Sequence, residues 1–213
     1  MIKVENINVY NFEGALRGMR NPLESWNQSD SYWKDNQYII GEKDLELALR
    51  LIKAGSDHSK FMRQIFISMD ITAPMSWWWD HDTYKVSTVK NSTSRMHKLG
   101  TRLLTVNDFS YDNEDREINI TPLRKYVLDD LNKRILEYQH LKKTDIKSAM
   151  KLWREIVFDL PQNYDFLATW TGNYENLRNE YHARNNHKQR EFKDFCKVIK
   201  ALPYSELITI ERR

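Results

Sequence analysis

"RQIFISMDITAPMSWWWDHDTYKVSTVKNSTSRM", Arg63 to Met96, is the stretch on which the reading of the chain turns. Its first third alternates: Ile65, Ile67, Met69 and Ile71 fall on one side and Pro74 stops the run, so the spacing predicts a strand. Three tryptophans follow, Trp77 to Trp79, and then a polar run from Asp80 to Met96. Either the indoles are core and the polar run is a surface loop, or the stretch lines a pocket for something flat and charged. Residues 75–99 contain neither Gly nor Pro, which a solvated loop of this length ordinarily has. Lys85 and Arg95 bracket Ser87, Thr88, Asn91 and Thr93 at a separation that lets both cations converge on one anion. Arginine in particular suits bidentate phosphate contact. These features favour the pocket.

Upstream, Ile2, Val4, Ile7 and Val9 predict a strand over Ile2–Phe12, with one break in the alternation. Residues 14–40 show no clean period and read as irregular, with one or two helical turns. "GEKDLELALRLIKAG" (41–55) is an amphipathic helix whose Leu45, Ala48, Leu49 and Ile52 share a face, stopped by Gly55. Downstream of about Thr121 the pattern turns helical. Val127, Leu131, Ile135 and Tyr138 mark one helix. Ile146, Met150, Trp153 and Val157 mark the next, behind an N-cap at Thr144 or Asp145. "YDFLATWTGNYENLRNEYHARNN" (164–186) and "KQREFKDFCKVIKAL" (188–202) complete an expected run of four helices. No linker or repeat divides the chain, so residues 1–213 read as one α+β domain, a small sheet under a helical layer.

Composition narrows the classes. A net charge of +3, from 33 basic and 30 acidic residues, is too weak for non-specific nucleic-acid binding, yet leaves room for a basic pocket. No apolar run approaches the roughly 18 residues that span a bilayer. The N-terminal alternation is no signal peptide, so a cytoplasmic protein is expected. Cys196 is a lone cysteine at helical spacing, a core residue by pattern. The six histidines show no metal-ligand spacing, and His81, between Asp80 and Asp82, reads as part of a solvated face. No metal site is expected. Late in the chain Trp170, Asn173, Leu177, Tyr181 and Arg184 run along a stripe. Arg178, Glu180 and Lys188 read as solvent-facing, which leaves Asn173 and Asn179 less well explained.

Four blocks, in order, resemble the flavin-dependent thymidylate synthases, the FAD-using family that methylates dUMP. "KAGSDHSKF" (53–61) is similar to that family's His-Thr-Ser-Pro-Phe segment, with His58 on its first histidine. "FISMDITAP" (66–74) resembles its Phe-x-(Ile/Val)-Lys-Ala-Pro strand. Counted on from Pro74 without a gap, "TYKVSTVKNSTSR" (83–95) falls on the signature Arg-His-Arg-x-x-Ser-x-x-x-x-Ser-x-Arg. Leu160-Pro161, "WTGN" (170–173), "NEYHAR" (179–184) and "HKQRE" (187–191) resemble its closing blocks. There are departures. Thr83, Tyr84 and Lys85 stand for Arg, His and Arg, Thr88 and Thr93 stand for the two serines, and Gln64 replaces a second histidine.

The resemblance implies an α+β fold with a small, mostly antiparallel sheet and a layer of long helices. It implies FAD as cofactor, NADPH and methylenetetrahydrofolate as co-substrates, dUMP as substrate, and a homotetramer. It places Lys85, Arg95 and Arg184 on the nucleotide, with Thr93 at its phosphate or base edge, and Arg154 there too if a gap is allowed. It places His58, Thr83, Tyr84, Asn91 and Asn179 on the flavin. The family needs no covalent nucleophile, and Thr93 is the candidate for a direct catalytic contact. Two alternatives follow from the altered signature: a related flavin enzyme with another pyrimidine or one-carbon outcome, or a nucleotide-binding paralogue without catalysis.

Overall fold

A computed structural model describes residues 2–94, 98–111 and 120–211. Strand β1, Lys3–Tyr10, lies where alternation predicts it, and the break in that alternation is Asn6, whose φ of 51° is left-handed. Helix α1 spans Phe12–Arg20 and buries Phe12, Ala15, Leu16 and Met19, a helix the sequence hid. Gly14 and Gly18 interrupt its apolar pattern, and a Cβ at Gly18 would meet Oε1 of Gln64 at 2.9 Å. A second surprise is a hairpin, β2 (Tyr32–Lys34) and β3 (Gln37–Ile39), paired antiparallel with Tyr32 opposite Ile39. Asp35 and Asn36 turn it with φ of 47° and 61°, two consecutive left-handed residues that fit a tight two-residue hairpin without glycine.

Helix α2, Glu42–Lys53, follows as expected, with Ala48 and Ile52 fully buried. Strand β4, Phe66–Pro74, buries Ile67, Met69 and Ile71 completely, and Ile65 just before it. Helix α3 then runs Met75–His81, and β5 is Val89–Ser92. Helices α4, Pro122–Thr144, and α5, Ile146–Phe158, form a pair. Asp145 caps α5 by accepting from Lys147 and Ser148 backbone N–H groups. Its buried face is Ala149, Trp153 and Ile156, so the expected stripe is displaced: Ile146 and Met150 are exposed.

The first part of the expected third helix is instead strand β6, Asp165–Asn173. Ala168, Trp170 and Gly172 point inward while Leu167, Thr169 and Thr171 face out, a period of two masked by small inward residues. Helices α6 (Tyr174–Arg184), α7 (Arg190–Lys200) and α8 (Glu206–Thr209) close the chain. Four strands form a sheet in the order β1-β4-β6-β5. The fold is α+β, a small sheet with helices.

Two compact units emerge, one of residues 1–3, 72–79 and 91–168, the other of residues 4–71, 80–90 and 169–213. In the first, Leu131, Ile135 and Tyr138 of α4 and Trp153 and Ile156 of α5 share a core with Leu99, Leu104 and Phe109. In the second, Arg20 and Asp44 form a buried ion pair at 2.6 Å, and Ser29 and Ser31 donate to the same carboxylate at 2.5 and 2.6 Å. Among the described residues no helix is long and apolar enough to cross a membrane.

Candidate functional site

The tryptophan run divides. Trp77 and Trp78 are core of the first unit: Trp78 stacks on Phe166 at 5.3 Å and lies edge-on to Trp77 at 5.1 Å. Trp79 is 55% exposed. His81 is buried, not solvated, with Nδ1 2.9 Å from both carboxylate oxygens of Glu180 and its ring against Trp170 and Phe195. Glu180 and Arg178, read above as solvent-facing, are likewise buried. Arg178 donates to the Ile208 carbonyl at 2.9 Å, so the inner face of α6 holds its charged groups by hydrogen bonding them. Asn179 is the exposed residue instead.

Asn173 and Asn176 explain themselves as a reciprocal cap. Asn176 N–H donates to Oδ1 of Asn173, and Asn173 N–H to Oδ1 of Asn176, each at 3.0 Å. The spare amide of Asn176 then donates to the Tyr84 carbonyl at 3.2 Å and the Val86 carbonyl at 2.9 Å. The start of α6 thereby holds the segment that carries Thr83, Tyr84 and Lys85. That segment opens with a short 3₁₀ turn, Asp82–Tyr84, in which the Thr83 hydroxyl donates to the Asp80 carbonyl at 2.7 Å. Ser87, with φ 61°, makes the left-handed step for which glycine is commonly used. Residues 82–92 of the polar run are thus an ordered turn followed by a strand.

At the other end of α6 stands Arg184, four-fifths buried. Its guanidinium carbon lies 4.9 Å from the Phe192 ring centre and 5.9 Å from that of Tyr84. One terminal nitrogen donates to Nε2 of His187 at 2.9 Å and lies 3.9 Å from the Asp80 carboxylate. His187 reaches it because the chain turns back at once after α6, its N–H donating to the Arg184 carbonyl at 2.9 Å. Nε of Arg184 is buried with no partner among the described residues. The result is a cation fixed in orientation and partly withdrawn from water, where an anion or a carbonyl is attracted more strongly than at an open surface.

Of the other expected site residues, His58 is exposed and lines a cavity of about 590 Å³ with Met19, Leu47, Leu51, Lys60 and Phe61. Arg20 also borders it but is engaged by Asp44. No other residue expected at the site lines that cavity. Lys85 is exposed at the end of the 3₁₀ turn. In the first unit, Asn91 lies exposed on β5, Thr93 donates its N–H to the Leu167 carbonyl at 2.9 Å, and Arg154 is exposed on α5. Arg95 lies outside the described residues. Tyr84 and Arg184 are therefore brought together, while Asp80, Phe192 and the bond from Arg184 to His187 are partners that the helical pattern gave no means of finding. Among the described residues no cluster of His, Cys, Asp and Glu is arranged to hold a metal.

The fold is that of the flavin-dependent thymidylate synthases. Two solved structures of thymidylate synthase X from Helicobacter pylori, both with FAD and dUMP, match over nearly the whole chain, each with a TM-score of 0.69. One is 17% identical and covers 98% of both chains; the other is 18% identical and covers 97% of this chain and 98% of its own. No sequence-family model matches the chain, and no curated protein matches it.

Proposed function

We propose that the chain is an FAD-dependent enzyme that methylates dUMP to dTMP with methylenetetrahydrofolate and NADPH, working in the cytoplasm as a homotetramer. The observation that carries this reading is Arg184. On a fold shared with a protein solved with FAD and dUMP, it is a clamped, partly desolvated cation at the position the resemblance assigns to the nucleotide. Arg184 holds the pyrimidine nucleotide together with Lys85, Arg95 and Arg154, and Thr93 hydrogen-bonds its phosphate or base edge. His58, Thr83, Tyr84, Asn91 and Asn179 face the flavin.

Of the residues expected at the flavin, His58 borders a cavity whose lining suits part of the cofactor. The cavity beside His58 is of ligand size, with apolar walls for a ring and the His58 imidazole and Lys60 ammonium for polar edges or phosphate. FAD, when bound and reduced by NADPH, supplies the hydride that brings the transferred carbon to the methyl level. The protein's part is orientation and charge stabilisation. A second reading, nucleotide binding without turnover, is favoured by Thr83, whose hydroxyl is already engaged by Asp80.

Flavin and nucleotide binding test the proposal. The purified chain loaded with FAD should retain the absorption band near ~450 nm through gel filtration and shift it on adding dUMP. Arg184→Ala should weaken dUMP by about tenfold or more, the value of a hydrogen bond to a charged group. Loss of the flavin on the column together with undetectable dUMP binding would contradict the reading.

A further inference from the structure

His187 is the part of the Arg184 clamp whose hydrogen-bonding capacity depends on its protonation state. Both of its ring nitrogens face N–H donors: Nε2 receives Arg184 at 2.9 Å, and Nδ1 lies 3.3 Å from the Gln189 backbone nitrogen, whose N–H points at it. A neutral imidazole has one acceptor nitrogen, and the shorter, charge-assisted contact claims it, so the ring proton belongs on Nδ1 and the longer contact is the strained one. An imidazolium has no acceptor at all. Protonation would set an N–H against the guanidinium and place two cations 2.9 Å apart.

The surroundings do not offset that charge. From α6 His187 faces Arg184, and from α7 it faces the edge of the Phe192 ring, at 5.0 Å between centres. Among the described residues no carboxylate forms an ion pair with it. The near acid is Asp80, which lies 3.9 Å from Arg184. Near it in sequence, Lys188 and Arg190 are cationic and Glu191 anionic, and Arg190 is paired with Asp194 at 3.7 Å. Beside this, Nε of Arg184 and Oε1 of Gln189 are both buried without partners among the described residues.

We propose that His187 positions Arg184 for the nucleotide and does so only as the neutral imidazole, so that proton uptake at His187 releases the guanidinium and weakens nucleotide binding. This rests on the function proposed above. His187 is a positioning residue, and its effect reaches the ligand through Arg184.

The test is dUMP affinity, by calorimetry, of wild type, His187→Gln and His187→Leu loaded with FAD, at about pH 8 and about pH 6. Gln keeps an acceptor where Nε2 stands, and Leu keeps bulk without one. At pH 8 the Leu variant should bind dUMP roughly tenfold more weakly and the Gln variant within about threefold of wild type. Between pH 8 and pH 6 the affinity of wild type should fall more than that of the Gln variant. Proton uptake by free dUMP is common to both proteins, so the difference between them is what is read. Leu equal to wild type at pH 8, or identical pH dependence of wild type and Gln, overturns the proposal. Should the Leu variant not fold, as its thermal melt would show, the two remaining pH series decide. A wild type that binds no dUMP contradicts the function itself; binding that His187→Leu leaves unchanged, while Arg184→Ala abolishes it, contradicts only the role of His187.

Discussion

At position 172 a Cβ would stand 2.3 Å from Cη2 and 2.4 Å from Cζ2 of Trp170, and 3.2 Å from Oδ1 of Asn176, the atom that accepts the Asn173 N–H in the α6 cap. The indole has little room to retreat, because it is buried against His81. Gly172→Ala should therefore destabilise the fold by about 1–3 kcal/mol, the usual range for overpacking, read as a lowered urea midpoint. An unchanged midpoint would mean the indole moves freely. Asp44 makes a complementary case. Burial alone would raise its pKa, but hydrogen bonds from Ser29, Ser31 and Arg20 outweigh that and hold the carboxyl below its ordinary value. A carboxyl lowered on folding contributes stability fully present above its unfolded pKa of about 3.9 and lost as pH falls through the folded value. Asp44→Asn should cost about 3 kcal/mol at neutral pH, since it leaves Arg20 a buried charge with no opposing carboxylate, and less as the pH drops below about 4. Urea titrations across that range check both the size and the sign. Neither residue stands out in the sequence: Gly172 lies in an aromatic stretch, and Asp44 sits in a helix whose apolar stripe draws the eye first. Burial of Cys196, by contrast, was legible from its spacing. The thiol is pushed up to about 12 by burial and by the nearby Glu180 charge.

Elements whose inward residues are large and regular were readable; those built on small or polar ones were not. Ile65, Ile67, Met69 and Ile71 announce β4, and Leu131, Ile135 and Tyr138 announce α4. Strand β6 packs inward through Ala168 and Gly172 around a single indole, so its period of two has little hydrophobic contrast and a helix looked as good. The β2–β3 hairpin turns on Asp35 and Asn36, without the glycine that usually marks such a turn. At the site, the family spacing singled out Arg184, but the turn that folds His187 back onto it follows no period. Asn176 shows what one element does for another: it completes the α6 cap and anchors the Tyr84 and Val86 carbonyls. Asn176→Ala should cost about 1–2 kcal/mol, from the lost cap and carbonyl bonds. It should also raise amide exchange over residues 84–88 more than over α7. Uniform exchange changes would remove Asn176 as the anchor of that segment.

For the whole molecule, the fold match covers 98% of each chain at 17% identity, so the architecture is shared although few residues are. Thr83 and Tyr84 have structural parts to play: Thr83 bonds to Asp80, and Tyr84 presents its ring to Arg184, inside a segment held by Asn176. The turn is held by Asn176, with the clamped Arg184 beside it. The proposed methylation is tested by release of tritium from [5-³H]dUMP, because installing a methyl group at C5 must expel the hydrogen there. With FAD, NADPH and methylenetetrahydrofolate present, tritium should appear in water in step with dTMP, and Arg184→Ala should suppress both. Tight dUMP binding with no tritium release and no dTMP would contradict the account and leave a nucleotide-binding protein on an enzyme's fold.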